Sequence, residues 1–274
     1  MIDLLTVPYL YRPLLMLLAL SCASGVVGVL IHLRRAEFTA ETFSHAVFPG
    51  VVIGFITAGT SGVVWGGAVA GAVAAALLTV CGRQQLHDDN LSAILLSSLY
   101  ALGMLISLRH SDKSGQLEAL MFGRLLELGQ DRLVHGVAAC AIAVVLLWAT
   151  WPAQHAVAFD RTSAAAGGIS LFRVDAVFNA AVAATVVAGA AAVGILLVVG
   201  FLCVPPAAAR LLTNGRALVF TSVSIAVLSS VLSMWVVSLP HERPVSPQAL
   251  VALTVVLGLV VGLSASGLRK RRKQ

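Results

Sequence analysis

Residues 41–54 read ETFSHAVFPGVVIG, and the way this stretch is solvated decides how the rest of the chain folds. An acid and an imidazole, Glu41 and His45, open a run that is otherwise apolar. Four positions apart on a helix, the two side chains share one face and together offer an oxygen and a nitrogen to a divalent cation. Pro49 and Gly50 follow one turn later. Proline removes a backbone donor, so the segment is expected to bend there and to leave carbonyls free beside the imidazole. An ion pair or a capping arrangement at an ordinary helix start would use the same two residues. The surrounding solvent separates these readings.

That solvent is lipid. Of 274 residues, 59% are hydrophobic and 11% charged, and the mean hydropathy is +0.95. Charges cluster between apolar runs of near membrane-spanning length, whereas a soluble helix carries a polar stripe throughout. The expectation is an all-α, polytopic transmembrane bundle, with residues 1–274 forming one transmembrane domain. The formal net charge of +6 comes largely from the tail at 269–274, which reads RKRRKQ. It suits a cytoplasmic anchor on anionic lipid headgroups and not a nucleic-acid patch. Cys22, Cys81, Cys140 and Cys203 stand singly, so neither a disulfide framework nor a thiolate metal site is indicated.

Working outward, the spans are expected at 14–33, 39–58, 63–81, 91–108, 133–151, 218–237 and 249–268. The first is too long for a signal-peptide core and lacks a basic leader, so it reads as a span. A turn lies at Gly59–Gly62, and Gly67 and Gly71 are spaced for close helix packing. Asp88, Asp89 and Asn90 suit a helix start, and the neighbouring His87 reads as a solvated loop residue. The amphipathic stretch 109–130 is expected to lie on the membrane surface. Asp131 and His135 repeat the acid–imidazole spacing in a loop setting that favours solvation. Residues 152–173 are too polar to span and are read as a cytoplasmic segment with a short helix ended by glycine. Residues 174–212 nearly fit two crossings, turning near Val193 and Gly194 and interrupted again at Pro205 and Pro206. Nine spans result, or eight if that stretch crosses once. Nine place the N-terminus outside and the basic tail inside. There is no G-x-x-x-x-G-K-[ST] and no H-E-x-x-H, which excludes a P-loop ATP site and a zinc-protease motif.

Three runs carry a family resemblance. RRAEFTAETFSHAVFPGVVIGF at 34–55 is similar to RR-x-S-F-x-x-D-A-x-S-H-A-x-L-P-G, and GILLVVGFLCVPPAAARLL at 194–212 to V-G-x-L-L-V-x-A-L-L-x-I-P-A-A-T-A-R-L-L. Phe159 and Asp160 followed by Gly167 and Gly168 resemble an F-D-x(4-6)-A-x-x-x-G segment. These patterns belong to the membrane permeases of the ABC-3 family of bacterial manganese, zinc and iron importers, and the likeness extends over nearly the whole chain. Here Glu41 stands where aspartate is usual, Glu37 where serine is usual, and Pro206 where alanine is usual. The longer carboxylate keeps the ligand chemistry and moves it by one methylene.

The resemblance implies a type II ABC-importer-like permease, multi-pass in the bacterial plasma membrane. It would work as a homodimer with two copies of a separate ATP-binding cassette ATPase and an extracytoplasmic metal-binding protein. Glu41 and His45 would touch the transported Mn2+, Zn2+ or Fe2+, with no permanently bound cofactor. Phe159, Asp160, Ala164, Gly167 and Gly168 would meet the ATPase. The subunit would be no enzyme in itself. The rival class is an ATP-independent secondary carrier, in which Glu41 and His45 would relay protons and metal.

Overall fold

A chain immersed in lipid must pair every backbone amide internally, and this one does so with helices. The computed structural model describes residues 8–82, 88–110, 121, 123, 125–213, 215, 217–239 and 246–271, with no strand among them. The helices are α1 (Pro8–Arg34), α2 (Glu37–Ala58), α3 (Gly62–Gly82), α4 (Asp88–Arg109), α5 (Gln130–Ala149), α6 (Trp151–Phe159), α7 (Arg161–Ala166), α8 (Leu171–Ala192), α9 (Ile195–Leu212), α10 (Ala217–Val237) and α11 (Pro247–Arg271). Short 3-10 turns cover Gly59–Ser61 and Leu125–Glu127. Most of the surface helix expected over 109–130, His87, residues 240–245 and tail residues 272–274 lie outside the described residues.

Eight apolar segments are long enough to cross a membrane, and one of them, Glu37–Gly82, is 46 residues long. It folds back at Gly59–Ser61 into α2 and α3, which brings the long helices to nine among the described residues. Gly50 faces Gly66 and Gly54 faces Gly62 so closely that a Cβ at any of the four would collide with the carbonyl of its opposite number. The two helices therefore run antiparallel with backbones in contact. The glycines singled out from spacing, Gly67 and Gly71, meet only side chains, those of Val47, Val51, Ala183 and Val187. Small residues at the interface let dispersion contacts hold helices together where lipid removes the hydrophobic drive.

The stretch 174–212 crosses twice. Gly194, at φ 95°, breaks it into α8 and α9 at the expected turn, in a backbone region reserved for glycine. The expected interruption at Pro205 and Pro206 is absent, because α9 runs unbroken through both. Prolines at those positions deprive the Phe201 and Leu202 carbonyls of their helical donors. Gly28 of α1 presses its backbone against the Leu202 carbonyl and the Pro206 ring, leaving no room for a side chain. A neighbouring helix thus covers the break that proline would open in water.

One core joins Met16, Leu17 and Leu20 of α1 to Phe43 and Phe48 of α2, Ala181 and Val186 of α8, and Phe201 and Leu202 of α9. Two buried polar pairs cross it: Ser21 with Ser230 at 2.8 Å, and the Asn179 amide donating to the Thr79 hydroxyl at 2.9 Å. A cavity of about 510 Å3 is walled by Arg34, Thr79, Ser92, Phe159, Asp175 and Arg210, among others, so these helix ends share one side. Gly262 of α11 packs on Ala208 of α9, which places the C-terminal end of α11, where the basic run begins, on that side too and makes it the inner one. Near the inner face α5 stops at Ala149, and Trp151, expected to end that span, opens α6 instead.

Candidate metal pathway and coupling segment

Helix α2 starts at Glu37, two residues earlier than hydropathy predicts, and continues through Pro49 to Ala58. The expected bend at Pro49 therefore does not interrupt it. Glu41 is exposed and His45 half-buried, one turn apart on a common face. The His45 ring stands edge-on to Tyr100 of α4, with centroids 5.1 Å apart. Its Nδ1 is buried and has no hydrogen-bond partner among the described residues. Between the two residues, the Thr42 hydroxyl donates to the Phe38 carbonyl at 2.9 Å and lies 3.2 Å from the Ser92 carbonyl, pinning α2 against α4. At about 1.5 Å per residue, His45 lies about 12 Å from the inner end of a helix about 32 Å long. Glu41 and His45 thus stand one and two turns from that inner end. Because Pro49 has no N–H, it leaves the His45 carbonyl without the usual helical donor. Among the described residues no three His, Cys, Asp or Glu side chains are grouped to hold a metal.

A second acid–imidazole contact was not legible from spacing. His32 Nδ1 lies 3.0 Å from Glu37 Oε1, bridging the end of α1 and the start of α2. The chain turns this corner at Arg35, whose φ of 55° is the one positive value for a non-glycine among the described residues. Helical periodicity stops at such a corner, so a five-residue separation gives no face pattern; His and Glu flanking LRRA were the available signal. By contrast, Asp131 and His135 form no joint site: His135 Nδ1 is 2.6 Å from the Asp131 backbone carbonyl, and its ring packs on Trp65.

The polar segment forms α6 and α7 at the inner face. Phe159 is 95% exposed, a large apolar ring held out from the protein. Asp160 caps α7: its carboxylate accepts from the Thr162 and Ser163 amides at 2.9 and 3.3 Å and from their hydroxyls at 2.6 and 2.5 Å. Hydrogen bonds from Ser163 and Thr162 hold this carboxyl well below the ordinary carboxylate range. Ala164 faces inward against Val157 and Val174, and α7 ends at Gly167 and Gly168, the latter at φ 83°. The five residues expected to act together therefore occupy one short capped helix and its flanks.

An ion network lies behind this segment. Asp175 on α8 accepts from Arg161 Nη2 and Arg34 Nη1 at 2.8 and 2.9 Å, while Arg34 Nη2 donates to Gln154 Oε1 at 2.5 Å. The Arg34 guanidinium also covers the Phe178 ring at 4.4 Å.

Comparison with known proteins agrees with this architecture. The family model described as ABC 3 transport family matches residues 6–264. The zinc transport system membrane protein TroC of Treponema pallidum is 30% identical over 206 residues, covering 72% of this chain and 69% of TroC. The manganese transport system membrane protein MntC of Halalkalibacterium halodurans is 28% identical over 215 residues, covering 77% and 72%. Among solved structures, PsaBC from Streptococcus pneumoniae in complex with Fab superposes with a TM-score of 0.76 at 25% identity, covering 95% of this chain and 92% of that one. With its nine long helices, its capped inner segment and no nucleotide-binding motif of its own, the chain belongs to the ABC 3 transport family, as a multi-pass membrane transport subunit served by a separate ATPase.

Proposed function

We propose that this chain forms, as a homodimer, the membrane passage of an ATP-driven importer for a divalent transition-metal ion, Mn2+, Zn2+ or Fe2+. The observation that carries the reading is the Glu41–His45 pair, an acid and an imidazole with a buried ring nitrogen that no described protein group uses. Glu41 stands one turn, about 6 Å, from the inner end of α2, where an acid is less costly than at a span's centre, so it is the unused imidazole nitrogen one turn deeper that speaks for a role. Nitrogen and oxygen donors without sulfur suit these three metals and give little reason for Cu+.

Two such pairs, one from each subunit, would surround an ion with four side-chain ligands, and the His45 carbonyl adds an oxygen within the same turn. A site split between subunits loosens as the helices rock, which favours release after capture. Relatives named for zinc, manganese and chelated iron transport support the range of cargo. Membership of an ABC transport family favours this mechanism over an ATP-independent carrier. The ATPase would dock on Phe159, Asp160, Ala164, Gly167 and Gly168, and an extracytoplasmic binding protein would deliver the ion to the outer face.

Metal accumulation by cells expressing the complete transporter tests the site. Glu41→Ala and His45→Ala, at matched membrane levels, are expected to lower uptake at least tenfold. Undiminished uptake removes the pair from the pathway, and uptake of Mn2+, Zn2+ and Fe2+ measured side by side identifies the cargo.

A further inference from the structure

The geometry points to Asp175 as a transmission residue: it fastens α7 to the corner from which α2 hangs, so that breaking the link uncouples ATP hydrolysis from metal movement. This rests on the reading of residues 152–173 as the segment that meets the ATPase.

Helix α7 is six residues long and joins α8 through Gly167, Gly168, Ile169 and Ser170, with Gly168 at φ 83°. A double glycine is a poor lever, since a push on α7 is absorbed by backbone rotation before it reaches α8. Ala164 against Val157 and Val174 holds α7 by apolar contact, which has no fixed direction. The directional connection is Arg161, whose two terminal nitrogens reach both Asp175 oxygens at 3.3 and 2.8 Å. Such a bidentate fork fixes orientation as well as distance.

The same carboxylate reaches α1. Arg34 is the last residue of α1, its side chain is only 8% exposed, and its Nη1 donates to Asp175 at 2.9 Å. Gln154 accepts from Nη2 and Phe178 covers the guanidinium face, while the buried Nε has no hydrogen-bond partner among the described residues; Gln154 itself donates to the Val174 carbonyl at 3.1 Å. With both terminal nitrogens engaged, Arg34 is tied to Asp175 and to Gln154 at once. Immediately beyond it the chain turns at Arg35 and begins α2, with Glu41 and His45 one and two turns along. Motion of α7 thus passes through one carboxylate to the helix that carries the candidate metal ligands. Two guanidiniums share a single anion, so a neutral isostere at 175 keeps one acceptor oxygen but breaks the bidentate fork and leaves the buried guanidinium without its counter-charge.

The test uses the complete importer, this chain with its ATPase and binding protein, reconstituted in liposomes, with Mn2+, Zn2+ and Fe2+ as probes. Asp175→Asn is expected to keep the ATPase bound and hydrolysis within twofold of normal, while ions moved per ATP fall at least tenfold. Arg161→Gln removes only an arm that is 52% exposed, and is expected to lower ions per ATP at least threefold. It carries the test alone if Asp175→Asn fails to insert. An unchanged ratio, or hydrolysis and uptake falling together in proportion, overturns the proposal. Phe159→Asp separates the underlying reading: if the ATPase still co-purifies with that variant, the docking assignment fails and the link falls with it. An unchanged ratio with docking abolished by Phe159→Asp refutes the link alone.

Discussion

Replacing Gly50 or Gly66 by alanine tests the contact that sets α2, and hence Glu41 and His45, against α3. A Cβ on Gly66 would lie 2.9 Å from the Gly50 carbonyl carbon and 3.0 Å from Gly54 Cα, with the Gly50 oxygen closer still. Carbon atoms rest about 3.5–4.0 Å apart, so the helices must separate by at least about half an ångström. Gaps of that size forfeit a quarter or more of each contact's attraction, and overpacking of this kind costs about 1–3 kcal/mol. The clash is reciprocal, because a Cβ on Gly50 meets the Gly66 carbonyl. Once one substitution has spread the pair, the second meets less resistance, so the double variant should fall short of the sum by 0.5 kcal/mol or more, on the order expected for touching residues. Gly200, in α9, is the control: nothing lies within 4 Å of an added Cβ, and alanine there should be neutral or stabilising by up to about 1 kcal/mol. Reversible unfolding in mixed micelles, followed across the double-mutant cycle, measures all four quantities. Single variants within 0.3 kcal/mol of the parent, a threshold set by about the error of such cycles, or strict additivity, would refute the close backbone contact.

Other outcomes follow from the same structure. Gly194→Ala should destabilise by about 1–3 kcal/mol, since its backbone conformation is one that only glycine adopts without strain; thermal unfolding measures it. Thr79→Val strands the buried Asn179 amide between α8 and α3 and should cost about 0.6–1.7 kcal/mol in the same assay. Asp160→Ala should expose the Thr162 and Ser163 amides to hydrogen exchange. The depressed Asp160 pKa means that its contribution is present above the ordinary value of 3.8 and is lost only as pH falls through the lower folded value. Protection of those amides should therefore stay flat from pH 8 to pH 5, a window lying wholly above an ordinary carboxylate pKa, and a decline within it contradicts the cap. Glu37→Ser removes a nearly half-exposed partner from His32 and should change stability by less than about 1 kcal/mol.

Local patterns explain what could be read before folding. The Asp160 cap at the start of α7 emerged from the structure, whereas a glycine stop depends on immediate neighbours, so Gly167 and Gly168 announced the end of that helix. The pair Glu41 and His45 was legible for the same reason, being one turn apart on one helix. Interhelical partners were not. Gly67 and Gly71 carry the same spacing as Gly62 and Gly66, and nothing in the order of residues says which pair meets another backbone. Proline in α9 misled for a related reason: whether Pro206 ends a helix depends on whether Gly28, on a different helix, covers the carbonyl it frees.

The sequence alone determined the solvent, a count of eight or nine crossings, the turn near Gly194 and the chemistry available on α2, because each follows from composition or from neighbours within one or two turns. Only the tertiary structure decided that Arg34 and Asp175, 141 residues apart, share a salt bridge with Arg161, and that His32 meets Glu37 across a corner. Helices in lipid are apolar on every side, so hydropathy marks no face as the one that packs. Which faces meet is fixed by shape and by the few polar groups that must find each other away from water.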